Sequence, residues 1–141
     1  MDKLIIEGPT KLKGEVEISC SKNAYLPIMC ATLLSKEEIC FTKLPNLFDI
    51  RTMKRLLVDL GVEIKAHESE ASTHYFCAKN IVKKEASYDL VKTMRAGVLV
   101  LGPLLARFKE ARVSLPGGCA IGTRPIDIHL KALEKMNAEI T

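Results

Sequence analysis

The chain has 141 residues, 48% of them hydrophobic and 27% charged, with a formal net charge of +4; that is enough for about one domain of the usual ~100–150 residues and too apolar for a disordered or fibrous chain. The charges are scattered, with no block of like charges that would form a nucleic-acid arm, and the longest apolar stretch, 96–106, contains Gly102 and Pro103 and is too short to span a bilayer. Five cysteines (Cys20, Cys30, Cys40, Cys77, Cys119) form an odd set without a C-x-x-C pair, and Met1-Asp2-Lys3 leads into no signal-type run, so reduced thiols in a cytoplasmic protein are expected. His67, His74 and His129 stand near no cysteine pair at zinc spacing, and no metal is expected.

Leu4-Ile5-Ile6 and the alternating Glu15-Val16-Glu17-Ile18 read as two short strands joined by a turn around Gly8-Pro9 and Gly14, an opening hairpin. Residues 23–34 crowd apolar side chains at helical length, with Pro27 in the first turn and Lys22-Asn23 at the N-terminus. A strand follows over 38–42, then a turn at Leu44-Pro45-Asn46. Residues 47–60 form an amphipathic helix with Leu47, Ile50, Met53, Leu57 and Leu60 on one face, closed by Gly61. Residues 62–66 read as a strand, 75–78 as its hairpin partner, and 87–108 as a second long helical pattern.

The second half repeats the first. An offset of 71 pairs Leu33-Leu34 with Leu104-Leu105 and Leu44-Pro45 with Leu115-Pro116; an offset of 76 then pairs Ile50 with Ile126, Leu57 with Leu133 and Glu63-Ile64 with Glu139-Ile140. Each unit reads helix, strand, Leu-Pro turn, amphipathic helix, strand, so the chain is a duplicated α/β supersecondary unit. The widening of the offset falls within 117–124, where a compact turn has become a glycine-rich loop. The chain stops in the strand the repeat predicts, which reads as truncation.

That loop carries the chemistry. Pro116 and Pro125 bracket Gly117, Gly118, Cys119, Gly122 and Arg124, and a thiol in an exposed, electropositive setting can have its pKa drawn from about 8.5 toward neutrality and exchange a proton. Arg124-Pro125-Ile126-Asp127 reads as a helix start, with Pro125 near N1 and Asp127 complementing the dipole. A cation is unfavourable as a cap there, so Arg124 points instead to an anion held against free N–H groups, a phosphate or nucleotide. Lys22 and the Lys92-Thr93-Met94-Arg95 run place further cations at helix starts. His129 reads as a packed or surface histidine rather than a base.

Four stretches resemble the enolpyruvyltransferases (1-carboxyvinyltransferases) that act on UDP-N-acetylglucosamine: Ile18-Ser19-Cys20-Ser21-Lys22-Asn23-Ala24, Tyr88-Asp89-Leu90-Val91-Lys92-Thr93-Met94-Arg95-Ala96, Leu101-Gly102-Pro103-Leu104 and Ser114-Leu115-Pro116-Gly117-Gly118-Cys119-Ala120-Ile121-Gly122-Thr123-Arg124-Pro125. The resemblance covers the whole chain. It implies an inside-out α/β barrel of βαβαββ-type units, incomplete here: residues 1–21 as an opening strand segment associated with a second domain, and 22–141 as the first two of three units of the first domain. It implies transfer of the enolpyruvyl group of phosphoenolpyruvate to the sugar 3′-hydroxyl for peptidoglycan synthesis, without metal or organic cofactor.

By the same resemblance Cys119 is the proton donor and the residue alkylated by fosfomycin, and Lys22 is catalytic. Lys22, Asn23, Cys119 and Arg124 would meet phosphoenolpyruvate; Asn23, Arg95, Arg124, Pro125, Ile126, Asp127 and Ile128 would meet the UDP-sugar. Partners are these small molecules and the missing remainder of the same enzyme, with neither nucleic acid nor membrane, and the chain alone is expected to be inactive. Departures from the family's pattern are Cys20-Ser21 for Gly-Ala, Tyr25 for a small residue, and Asn137 for a glycine, where asparagine tolerates the αL conformation. Two other readings are a relative acting on shikimate 3-phosphate, which lacks the cysteine loop, and a non-catalytic nucleotide-sugar or nucleic-acid binding module.

Overall fold

Helix α2 (Phe48–Leu60) is the central packing element, because its apolar period puts Ile50, Met53, Leu56, Leu57 and Leu60 on one buried face. In this computed structural model, which describes residues 3–114 and 126–141, α2 packs beside α1 (Lys22–Ala31) and over a sheet of β1 (Glu38–Phe41), β2 (Glu63–Ala66) and β3 (His74–Cys77). The strand order is β1-β3-β2, antiparallel throughout, with Ile39 and Ile64 both opposite Phe76. Fully buried Phe76 meets Phe41 edge to face at 4.8 Å, an arrangement the ring quadrupoles favour.

Helix α2 ends in a Schellman motif. Gly61 adopts φ +110°, its N–H donates to the Val58 carbonyl, and the Val62 N–H reaches back to Leu57, each at 2.9 Å. A Cβ on Gly61 would lie 2.7 Å from the Asn80 carbonyl oxygen, so both conformation and space demand glycine. Helix α5 (Asp127–Lys135) ends in the same way, offset by the 76 residues of the repeat. Asn137 has φ +66°, its N–H bonds Glu134 at 2.9 Å, and the Ala138 N–H bonds Leu133 at 3.0 Å. The duplication thus extends to individual backbone hydrogen bonds, with asparagine taking the αL position as expected.

The second unit opens with β4 (Glu85–Ala86), which pairs parallel with β5 (Arg112–Val113); a parallel pair needs a crossover, supplied here by the helical segments between them. That crossover differs from the continuous helix expected over 87–108. It comprises α3 (Tyr88–Val91), a 3-10 segment (Arg95–Val100) and α4 (Leu101–Phe108). Met94 is extended at φ −144°, ψ 116° and breaks the run. Gly97 then passes so close to Val91 that a Cβ would meet its Cα at 3.2 Å. Apolar composition specified a buried segment, but these local contacts divided it.

Other boundaries shift. Helix α1 begins at Lys22, which puts Pro27 in the second turn, where its missing N–H leaves the Asn23 carbonyl without an intrahelical donor. Leu47 caps α2 half-exposed instead of joining its buried face. The opening hairpin does not form: residues 3–20 hold no strand, and Leu4, Ile6, Val16 and Ile18 are all more than four-fifths exposed. Two short strands with nothing to bury against do not hold a ladder. Helix α5 likewise buries no residue, and residues 138–141 form no strand. Among the described residues no helix is long and apolar enough to cross a membrane.

Candidate functional site

The N-termini of α1 and of the 3-10 segment converge with α5 on a cleft of about 550 Å³, within the size range of small-molecule sites. Its polar lining comprises Lys22, Asn23, Asp49, Thr93, Arg95 and His129, over an apolar floor that includes Leu26, Met94 and Val98. Each polar group is there for a local reason. Lys22 and Asn23 are the first two residues of α1, whose cap Ser21 makes no side-chain bond to the helix; their backbone N–H groups bond no described residue and can face an anion. The extended Met94 swings the chain so that Arg95 opens the next helical segment, exposed and in no ion pair with any described residue.

Lys22 is already partnered. Its Nζ lies 2.7 Å from Oδ2 of Asp49, in the first turn of α2, with side chains 41% and 29% exposed. An exposed pair of this kind contributes roughly 0–1 kcal/mol to stability, so its main effect is positional: the ammonium is held over the cleft and stays available to an incoming anion. Tyr25, one turn along α1, donates its hydroxyl to the Thr42 carbonyl and stacks obliquely near Phe41, tying the helix that carries Lys22 to the end of β1.

Of the residues singled out from sequence, Lys22, Asn23, Arg95 and Ile126 line one cleft. Asp127 and Ile128 start α5 but do not line it; Asp127 lies 3.8 Å from Lys131, and Ile128 is 77% exposed. Cys119, Arg124 and Pro125, with the rest of the glycine-rich loop, lie outside the described residues. Lys92 is not at a helix start: it follows α3, pairs with Asp89 and lies 5.2 Å from the centre of the Tyr88 ring. Asp49 and His129 were missed as site residues. Asp49 had a legible signal, a first-turn carboxylate on the helix following the Leu-Pro turn, but only the packing of α2 beside α1 brings it to Lys22.

The fold is that of the enolpyruvyl transferases: the crystal structure of the enolpyruvyl transferase NikO from Streptomyces tendae superposes with a TM-score of 0.61 over 72% of this chain and 23% of that one, at 18% identity. The chain belongs to the EPSP synthase (3-phosphoshikimate 1-carboxyvinyltransferase) family, whose sequence profile matches residues 6–141. Its curated relatives include proteins named UDP-N-acetylglucosamine 1-carboxyvinyltransferase from Helicobacter acinonychis, 57% identical over all of this chain, and from Trichlorobacter lovleyi, 59% identical over 99% of it. The chain spans about a third (33%) of the length of each.

Proposed function

We propose that this chain supplies part of the active site of an enzyme that transfers the enolpyruvyl group of phosphoenolpyruvate to the 3′-hydroxyl of UDP-N-acetylglucosamine, a cytoplasmic step of peptidoglycan synthesis. The observation that carries this reading is the meeting of Lys22, Asn23 and Arg95 in one cleft beside the start of α5. Two cations and two helix-terminal N–H groups make a place for phosphate and carboxylate oxygens. The sugar 3′-hydroxyl gives its proton to a carboxylate supplied from outside this chain as its oxygen bonds to C2 of phosphoenolpyruvate, while C3 takes a proton from the Cys119 thiol. The C2–O bond to phosphate then breaks and C3 gives up a proton, leaving an enol ether and inorganic phosphate.

In this reading Lys22 and Arg124 neutralise the phosphate, and fixed charges of that kind act on charge as it develops without reorganising. Asn23 and Arg95 orient the UDP-sugar together with the run Pro125, Ile126, Asp127 and Ile128 at the head of α5. Asp49 holds Lys22 in place until the anion binds. No metal or organic cofactor has a step to perform. Residues 22–141 form two repeat units of one domain, while 1–21 pair with a second domain beyond this chain. That pairing accounts for the exposed apolar residues of 3–20, and for the prediction that the chain alone is inactive.

The relatives' names and the cysteine loop both favour UDP-N-acetylglucosamine over shikimate 3-phosphate. Two assays separate the cases. A protein of the relatives' length that carries this chain is incubated with phosphoenolpyruvate and either acceptor. Separately, it is treated with fosfomycin, and peptides are weighed by mass spectrometry. A stoichiometric adduct on Cys119 supports the assignment; an unlabelled Cys119 under turnover conditions refutes it.

A further inference from the structure

Behind the cleft that holds Asp49, helix α2 presents a second group of cations. Arg51, Lys54 and Arg55 stand at i, i+3 and i+4 on its outward side, and His74 opens β3 beside them. Two adjoining hollows, of about 410 and 640 Å³, share Arg51, Lys54 and His74 as walls. The smaller is closed on its far side by Leu44, Pro45 and Asn46 and by Ala71 and Ser72.

The charges here are uncompensated. Among the described residues none of Arg51, Lys54 and Arg55 forms an ion pair. Among the described residues Asp59 is the one carboxylate lining either hollow, and it is taken by Lys83. Arg51 spends one nitrogen on Oδ1 of Asn46 at 2.8 Å, which orients its guanidinium. Lys54 has a basic partner: its Nζ lies 3.1 Å from Nε2 of His74. The ammonium can only donate, so Nε2 accepts, His74 is neutral, and its proton sits on Nδ1. That Nδ1 is buried beside the Ser72 backbone, short of full hydrogen-bond geometry to any described group.

Two basic groups in contact and a guanidinium without an ion pair among the described residues are costly with nothing between them, and both costs are relieved by one kind of occupant. We propose that Arg51, Lys54 and His74 form a second anion site, which binds a small phosphate-bearing molecule in the hollow between α2 and the residues 71–74. A phosphate oxygen between Lys54 and His74 accepts a hydrogen from each and lets His74 protonate, and another faces the Arg51 fork. The site is separate from the Lys22 cleft and does not depend on the transfer reaction proposed for it.

The state of His74 supports this. Burial, then the Lys54 charge, lowers its pKa below the ordinary histidine value, against a smaller opposing effect of the Ser72 backbone. Burial, then Arg51, lowers that of Lys54. The groups facing His74 are Arg51, Lys54, Arg55 and Asp59 from α2, while Ile64 and Ala66 from β2 and Ala71 and Ser72 from the preceding loop bring no charge. A bound phosphate reverses both depressions.

The test is an NMR titration of the three histidine imidazoles of the intact chain in inorganic phosphate, in methyl phosphate, and in chloride at matched ionic strength. His74 is assigned by comparison with His74→Gln. The expected result is a saturable upward movement of the His74 midpoint in both phosphates, with a Kd of roughly 1–10 mM, and no equal movement of His67 or His129. Arg51→Gln and Lys54→Gln, both surface changes that leave the amide spectrum dispersed, each weaken the effect about tenfold. A His74 midpoint indifferent to phosphate, or one that moves in step with His67 and His129, overturns the site. An unchanged response in both variants does the same.

Discussion

Arg107 joins the two repeat units through a single nitrogen. Its Nη1 reaches the carbonyls of Leu33 and Ala78 at 2.8 Å and of Ser35 at 3.2 Å, all three in the first unit, while the arginine itself lies on α4 of the second. Arg107→Met keeps the aliphatic stem and removes the donors. Hydrogen bonds from a charged group to a part-buried acceptor contribute about 1.5–3 kcal/mol each. Taking the lower end for the two short bonds, because freed carbonyls regain some water, gives a loss of about 3 kcal/mol. For a chain of this size that is a drop of roughly 10 °C in Tm. Urea and thermal unfolding followed by circular dichroism measure it directly. Arg107→Lys should fall between, since the shorter lysine side chain keeps a charge but stops short of where Nη1 stands. A loss below about 0.5 kcal/mol for Arg107→Met would refute the idea that this side chain couples the units.

The two Schellman caps give a matched pair. Gly61→Ala should cost about 3 kcal/mol, from αL strain plus displacement of the Asn80 and Val82 backbone, whereas Asn137→Gly should gain a few tenths to about 1 kcal/mol; equal responses in urea unfolding would contradict the packing described. Because the folded chain holds His74 below its unfolded pKa, unfolding takes up a proton at acid pH. The stability contributed by neutral His74 is therefore present above about pH 6.5 and is lost as pH falls from there through the lowered folded value; His74→Gln should flatten that part of the stability profile. Burial pushes the Cys30 thiol up to about 12, so iodoacetamide at pH 8 should label exposed Cys40 within minutes and Cys30 only after denaturation.

What could be read from sequence followed the strength of the local signals. Helix α2 has a full amphipathic period and a glycine that no other residue could replace, so its extent and its end were both legible from residues 47–61. The three strands of the first sheet were also legible, since alternation and hairpin spacing are local properties. Residues 87–108 were not: the break at Met94 goes with a close passage of Gly97 by Val91, a contact that no window of hydropathy contains. The opening hairpin failed for the converse reason. Its alternation was real, but alternation needs a layer to bury against, and nothing among the described residues supplies one.

In the site, Lys22, Asn23 and Arg95 were identified as helix-start cations and polar groups, and the cleft does collect them. The Asp49 partner of Lys22 and the approach of His129 depend on how α1, α2 and α5 come together, which spacing along one helix cannot report. The Lys54 and His74 contact joins a helix to a strand 20 residues away and had no sequence signature beyond two ordinary polar residues.

The measurement that bears most directly on the proposed function is inorganic phosphate released from phosphoenolpyruvate by a protein of the relatives' length that carries this chain. The expected result is release that requires UDP-N-acetylglucosamine, is not supported by shikimate 3-phosphate, and falls by at least about a hundredfold in Cys119→Ser and in Lys22→Met. Release supported by shikimate 3-phosphate, or left intact by both substitutions, would contradict it.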